Sequence, residues 1–267
     1  MAEESSSKSG TTALITGGSS GIGIALAKEI ASHGHDVVLV ARRRDALEAA
    51  AGVIEGKWGV RADVFPADLR LPDAAEKLYE TIANEKLEIG ILVNNAGFGL
   101  GGEFLETDLE REVEMIQVNV TAVTQLTKLF SAPMVRRRSG RVMNVASTAA
   151  FQPGPLMAVY YATKAYVLSF SQAVAEELRG TGVTVTALCP GATATAFADT
   201  AEISNSRLFT RLGVADADDV AEYGYRAMMR GERVAIPAWR DKIMVQAERF
   251  APRGLVTRIA RQLQENR

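Results

Sequence analysis

Tyr160 and Lys164 stand four residues apart in a stretch of helical character, so their side chains share one helix face. A phenol ordinarily ionises near pH 10, and a neighbouring ammonium favours its phenolate. Such a pair can hand a proton to an oxygen that is gaining negative charge, or take one back in reverse. That is the proton traffic of a carbonyl being reduced or a secondary alcohol being oxidised. Tyr161 stands beside it but lacks the four-residue step to Lys164. Ser147 lies 13 residues before Tyr160 at the end of a strand-like run, and Asn119 lies in the preceding helix-like segment. Taken singly, the Tyr-Lys spacing is common in helices, Ser147 reads as a strand-end cap and Asn119 as a packing or surface group.

A second set of residues addresses a phosphate ligand. Thr16-Gly17-Gly18-Ser19-Ser20-Gly21-Ile22-Gly23 closes an apolar run and leads into a helical stretch at 24–31. Glycine permits positive φ and close backbone approach to a pyrophosphate, while a helix N-terminus offers unpaired N–H groups and partial positive charge. Glycines at 17, 21 and 23 give T-G-x-x-x-G-x-G rather than G-x-G-x-x-G, and no Lys-Ser/Thr pair completes a P-loop. About 20 residues past such a turn an acid normally holds the adenosine ribose hydroxyls. Here that strand ends Val40-Ala41-Arg42-Arg43. A guanidinium pairs bidentately with a 2′-phosphate that an acid would repel, which places NADP(H) ahead of NAD. The plainer alternative is a solvated helix start at 42–44, with Asp45 complicating the local charge.

The elements that must carry these residues to one place are legible as an alternation. Strand-like runs at 13–16, 37–41, 62–69, 91–97, 141–147, 183–191 and 233–237 alternate with amphipathic segments near 22–33, 44–55, 73–84, 108–137, 158–179 and 217–230. Most runs are rich in Val, Ile, Leu and Ala without polar alternation, which suits parallel strands covered on both faces. The segments between them suit right-handed crossovers. The pattern predicts an α/β, Rossmann-like fold, a doubly wound parallel sheet of about seven strands with helices on both faces. Residues 11–267 read as a single dinucleotide-binding catalytic domain behind a flexible polar leader at 1–10, with 199–214 as the least regular internal segment. Ligands of such sheets lie beyond the carboxyl ends of the strands, so the polar residues just after each run matter most.

Taken together, the glycine turn, the N-N-A-G run at 94–97, Ser147 and Tyr160-x-x-x-Lys164 make the chain resemble the short-chain dehydrogenase/reductase family over residues 11 to about 237. The resemblance implies an NADP(H)-dependent oxidoreductase with Asn119, Ser147, Tyr160 and Lys164 as its catalytic set. In that set Ser147 bonds the substrate oxygen, Tyr160 delivers the proton, Lys164 also holds the nicotinamide ribose and Asn119 supports a water-linked relay. The cofactor is then expected on Gly17, Ser19, Ser20, Gly21, Ile22 and Gly23, with Arg42 and Arg43 at the 2′-phosphate. Asp68 and Leu69 would flank the adenine, and Asn95, Ala96 and Gly97 would line the cleft. Asn94 either joins that lining or braces the sheet. Pro190, Gly191, Thr193 and Thr195 resemble the family's P-G-x-V-x-T element, which fixes the nicotinamide carboxamide and pyrophosphate, with Thr193 replacing the usual aliphatic residue.

By the same resemblance residues 194–212 form a lid, here carrying Phe197, Ile203, Leu208 and Phe209. With Phe98, Leu100, Phe151, Leu156 and Met157 near other crevice loops, the lid points to a hydrophobic small-molecule substrate, a ketone, aldehyde, secondary alcohol or 3-oxoacyl compound. The family's pairing through long helices implies a homodimer or homotetramer through 109–135 and 159–178. The competing reading is a catalytically silent NADP-binding regulator or scaffold that keeps the fold.

Composition narrows the remaining classes. The chain has 267 residues, 47% hydrophobic and 23% charged, as globular proteins do. Thirty Lys plus Arg against 32 Asp plus Glu leave a charge of −2, with no basic field to recommend nucleic acid. The single Cys189 reads as a buried small hydrophobe and suits a reducing, cytoplasmic setting. With only His33 and His35, both expected to face solvent, no His/Cys cluster offers a metal site. The longest apolar run, 156–162, is far short of the roughly 20 residues of a membrane span. The basic segment 239–267 carries Leu255, Val256, Ile259, Ala260 and Leu263 at helical spacing, and is expected to pack on the domain or a second subunit rather than on a membrane surface.

Overall fold

Five of the strands are buried at all but one position, mostly through apolar residues, and that fixes where they sit. The computed structural model describes residues 11–195, 201, 214–248 and 250–265. Seven parallel strands, β1 (Thr12–Thr16), β2 (Val37–Ala41), β3 (Ala62–Pro66), β4 (Ile89–Asn94), β5 (Gly140–Val145), β6 (Val183–Leu188) and β7 (Val234–Ala235), form one sheet in the order β3-β2-β1-β4-β5-β6-β7. Because side chains alternate across a strand, each apolar run feeds two cores. Ala13 and Ile15 of β1 join Val37 and Leu39 against α1 (Gly21–Ser32), α2 (Arg44–Trp58) and α7 (Ala217–Met229). Leu14, Val38, Val40 and Leu92 face the opposite layer, α3 (Ala74–Asn84) and α5 (Val123–Arg137).

The strand order reverses between β1 and β4, which opens a crevice at their carboxyl ends. The chain there is stitched by Thr16, whose hydroxyl accepts the N–H groups of Asn95 and Ala96 at 3.0 Å each. The Asn95 amide returns a 3.0 Å bond to the Thr16 carbonyl. Asn94 takes the bracing role rather than the lining one. Its amide donates to Asn144 Oδ1 at 2.8 Å and Thr127 Oγ1 at 3.0 Å, and Asn144 donates to Ser171 at 2.9 Å, so two strands and two helices share one buried network.

Three expectations shift. The amphipathic segment expected over 108–137 is not one helix: α4 (Leu109–Ile116) and α5 are joined by a π-helical turn, Gln117–Ala122, that carries Asn119. The third and seventh strands are shorter than their apolar runs, β3 ending at Pro66 although the Ala67 N–H still bonds the Ala41 carbonyl at 2.9 Å. His33 is exposed, but His35 is half-buried, with its ring bonded to the Thr11 carbonyl at 3.2 Å and the Tyr225 hydroxyl at 3.2 Å. Beyond β7, α8 (Trp239–Glu248) and α9 (Arg253–Gln264) extend the chain, and α9 packs inward through Val256, Ala260 and Gln264, whereas Leu255 and Ile259, expected on the packed stripe, are exposed. Among the described residues no helix is long and apolar enough to cross a membrane, and no cluster of His, Cys, Asp and Glu fit for a metal occurs.

Candidate active site

The loops after β1 to β6 close around a cleft of about 420 Å³. At one end lies the glycine turn. Gly17 and Gly21 adopt φ of +66° and +53°, where an L side chain is strained, and a methyl on Gly17 would also come within 2.7 Å of Asn95 Nδ2. Gly23 is not on the cleft surface; it lies beneath, where a methyl would collide with the Gly17 carbonyl. The Ser20 side chain makes no capping bond and the first turn of α1 carries no acid. The N–H groups of that turn therefore face the cleft without a competing anion, which is the donor set a pyrophosphate needs.

Beyond the ends of β2 and β3, Arg42 and Arg43 are exposed and line the cleft with Asp68 and Leu69. Asp68 is held by Arg70 at 2.6 Å, and that hydrogen bond pulls its carboxyl below the usual range. Arg70 also reaches Glu114 at 3.2 Å, so its charge is already matched. Arg42 and Arg43 have no salt bridge among the described residues. Arg70 and Arg111 line the cleft as well and were not singled out in the sequence; Asp68-Leu69-Arg70 carried the signal for the first of them.

At the other end the 3₁₀ turn Thr148–Phe151 and α6 (Ala158–Glu177) present Ser147, Tyr160 and Lys164. Ser147 is positioned by the strand ends: its Oγ accepts the Ala149 N–H at 3.1 Å and lies 3.4 Å from the Pro190 carbonyl, which also takes the Thr148 N–H at 2.9 Å. Tyr160 is hydrogen-bonded to Ser147. Lys164, 6% exposed, donates to the Val145 carbonyl at 2.8 Å and lies 5.8 Å from the centroid of the Tyr160 ring. Burial brings its pKa down to about 8.

The sequence suggested that the ammonium would ease ionisation of Tyr160. The structure gives the opposite balance: desolvation pushes the phenol well above its ordinary value, and the Ser147 hydrogen bond pulls back only in part. A phenol kept protonated is the form that donates. Asn119 also differs from expectation in its surroundings. Its amide exchanges bonds with the Phe98 backbone at 3.0 and 3.2 Å and donates to Thr163 at 3.1 Å, so the side chain braces the loop under Gly97 rather than lining the cleft.

Pro190, Gly191, Thr193 and Thr195 line the cleft opposite the glycine turn, and Thr193 spends its hydroxyl on the Gly191 carbonyl at 3.1 Å. Of the lid expected at 194–212, only Ala194, Thr195 and Ala201 fall within the described residues; Phe197, Ile203, Leu208 and Phe209 lie outside them. Phe98 and Met157 line the cleft as expected. Leu100 packs near Tyr160 and Tyr161, whereas Phe151 joins a separate core with Val167 and Ile236, and Leu156 takes a positive φ in a turn. Met244, Ala260, Leu263 and Gln264 also line the cleft. The helical spacing in the tail signalled a packed helix but gave no hint that it packs here. Cys189 is fully buried, its thiol pushed up to about 12 by desolvation.

With that geometry in place, a family model described as short chain dehydrogenase matches residues 11–205. The chain belongs to the short-chain dehydrogenase/reductase family. Among its relatives, the very-long-chain 3-oxoacyl-CoA reductase of Mus musculus is 37% identical over 193 residues, 71% of this chain and 61% of that protein. The match thus spans less than two thirds of that relative's length. A short-chain dehydrogenase from Sphingobium yanoikuyae, solved in complex with NADPH, superposes with a TM-score of 0.82 at 35% identity, covering 92% of this chain and 94% of that one. One from Burkholderia phymatum, solved in complex with NAD, has a TM-score of 0.81 at 25% identity, with coverages of 90% and 93%.

Proposed function

We propose that the chain reduces the carbonyl of an apolar ketone, aldehyde or 3-oxoacyl compound at the expense of NADPH, or runs the same reaction in reverse. The observation that carries the reading is the Ser147-bonded Tyr160 hydroxyl in the same cleft that begins at the glycine turn. NADPH, when bound, supplies a hydride to the carbonyl carbon. Ser147 orients the carbonyl oxygen by a hydrogen bond, and Tyr160 passes its proton to that oxygen as negative charge builds. The Lys164 ammonium, one helical turn away, offsets the charge left on Tyr160 and offers its remaining N–H groups to the ribose.

The residues present suit this cofactor at both ends. The open first turn of α1 takes the pyrophosphate, and Arg42 and Arg43, neither bound to a carboxylate among the described residues, supply charge for a 2′-phosphate. The relative solved with NADPH is in keeping with this preference, and the one solved with NAD is the reason to test it. Phe98, Met157, Met244 and Leu263 make an apolar substrate wall, and one relative's name is that of a 3-oxoacyl-CoA reductase. A spectrophotometric screen of NADPH and NADH oxidation against ketones, aldehydes and 3-oxoacyl thioesters tests the reading. Tyr160→Phe is expected to bind NADPH normally while turnover falls about 100-fold, the scale of a lost general acid. Near-normal turnover in Tyr160→Phe, with loss in Tyr161→Phe, would reverse the assignment.

A further inference from the structure

Tyr161, the neighbour of Tyr160, is tied to the far end of the chain. It is 6% exposed, its ring stands at 77° to that of Tyr160 with 6.1 Å between centroids, and its hydroxyl accepts a bond from Gln264 Nε2 of α9. Gln264 lines the cleft, is 4% exposed, and its Oε1 has no partner among the described residues. Glu248 of α8 lies close enough for its charge to oppose ionisation of Tyr161, and its Oε2 is likewise buried without a partner. The adjoining wall is apolar, with Met157, Met244 and Leu263. Unpaired polar atoms in such a wall cost stability in the free protein, and a ligand that pairs with them recovers that cost on binding.

We propose that Gln264 and Tyr161 form a subsite for a hydroxyl that the substrate carries apart from its reacting carbonyl. The proposal rests on the carbonyl-reduction reading and deepens it. The Tyr161 oxygen accepts from Gln264 and keeps its own proton to give, while Gln264 Oε1 is free to accept. A hydroxyl both accepts and donates, so it pairs with the two groups at once. A carboxylate would face the Gln264 oxygen and the Glu248 charge, and an ammonium would leave the Tyr161 proton unpaired. The subsite is held in place from outside the cleft: Arg261 of α9 pairs with Glu103 in the loop after β4.

Matched ketones separate this proposal from its parent. Benzylacetone and its para-hydroxy derivative, with homologues one methylene shorter and longer, are compared by kcat/KM with NADPH and by calorimetric binding to the NADP⁺-loaded chain. The hydroxylated member is expected to be favoured about tenfold at one or more chain lengths, the scale of one hydrogen bond left unmade. In Gln264→Leu, and in Tyr161→Phe where the ring packing is kept, the ratio is expected to collapse towards one. Equal treatment of both members in every pair, or a preference that survives Gln264→Leu, overturns the subsite even where the ketones are reduced. Preferential binding without any turnover upholds the subsite and sinks the carbonyl-reduction reading instead.

Discussion

The buried ammonium of Lys164 has a pH signature of its own. Its ordinary pKa is 10.5 and burial brings it down to about 8, so below pH 8 the side chain is charged in both folded and unfolded chains. The fold then bears the full cost of desolvating that charge. Between 8 and 10.5 the unfolded chain holds a proton that the folded one has released, so stability rises with pH across that window. The expected gap between Lys164→Met and the natural chain therefore narrows by about 3 kcal/mol from neutral pH to the top of the window, measured by urea unfolding at each pH. A gap independent of pH would mean that Lys164 keeps its proton at its ordinary value. Arg42 makes a separate prediction at the opposite end of the cleft. Arg42→Leu is expected to raise the NADPH dissociation constant about tenfold or more, the scale of a charge-assisted bond, with little change for NADH. Equal losses for both cofactors would assign Arg42 a general packing role.

At the scale of the element, the turn between β1 and α1 and the body of α2 use glycine for opposite reasons. A methyl on Gly23 would strike the Gly17 carbonyl, so Gly23→Ala must push α1 away from the strand and is expected to weaken NADPH binding at least about tenfold. Gly52 and Gly56, exposed in α2, have open space around a would-be Cβ. Gly52→Ala and Gly56→Ala are each expected to stabilise the fold by about 0.8–1 kcal/mol, read as a raised thermal midpoint with unchanged cofactor affinity. The strands, the glycine turn and the Tyr160-Lys164 step were legible in the sequence because each is a local pattern: an apolar run, a φ requirement, a helical spacing. The π-helical turn at Asn119 was not, since its cause is a tertiary demand to aim one residue at Phe98 and Thr163 inside an otherwise helical stretch. The direction of the Tyr160 shift escaped for a similar reason. Spacing puts the ammonium nearby, but only the packed structure shows how completely water is removed. Gln264 was invisible as a site residue because it lies 103 positions from Tyr161.

At the scale of the whole molecule, one side of α4 is left exposed among the described residues. Leu109, Val113 and Ile116 of α4 are 74%, 56% and 42% exposed, and their spacing of four and three places them along one side of the helix. Tyr166 of α6, 39% exposed and stacked on Phe170, adds an aromatic surface on a helix packed against α4. The first-turn acids Glu110 and Glu112 and the Asp108 cap keep α4 well formed, with Asp108 accepting the Arg111 N–H at 3.0 Å, so the apolar face is not a frayed end. A row of large apolar side chains on a stable helix is the kind of surface that subunits bury. We expect the chain to self-associate through this face, in line with the long helices marked in the sequence. Because Leu109, Val113 and Ile116 do not line the cleft, Val113→Asp is expected to dissociate the assembly while leaving NADPH affinity within about twofold, a surface charge costing little in the monomer. Sedimentation velocity at micromolar concentration reads the result. A natural chain that sediments as a monomer, or an assembly that Val113→Asp leaves intact, would place the contact elsewhere, with the exposed Trp239 and Ile243 of α8 the next surface to charge.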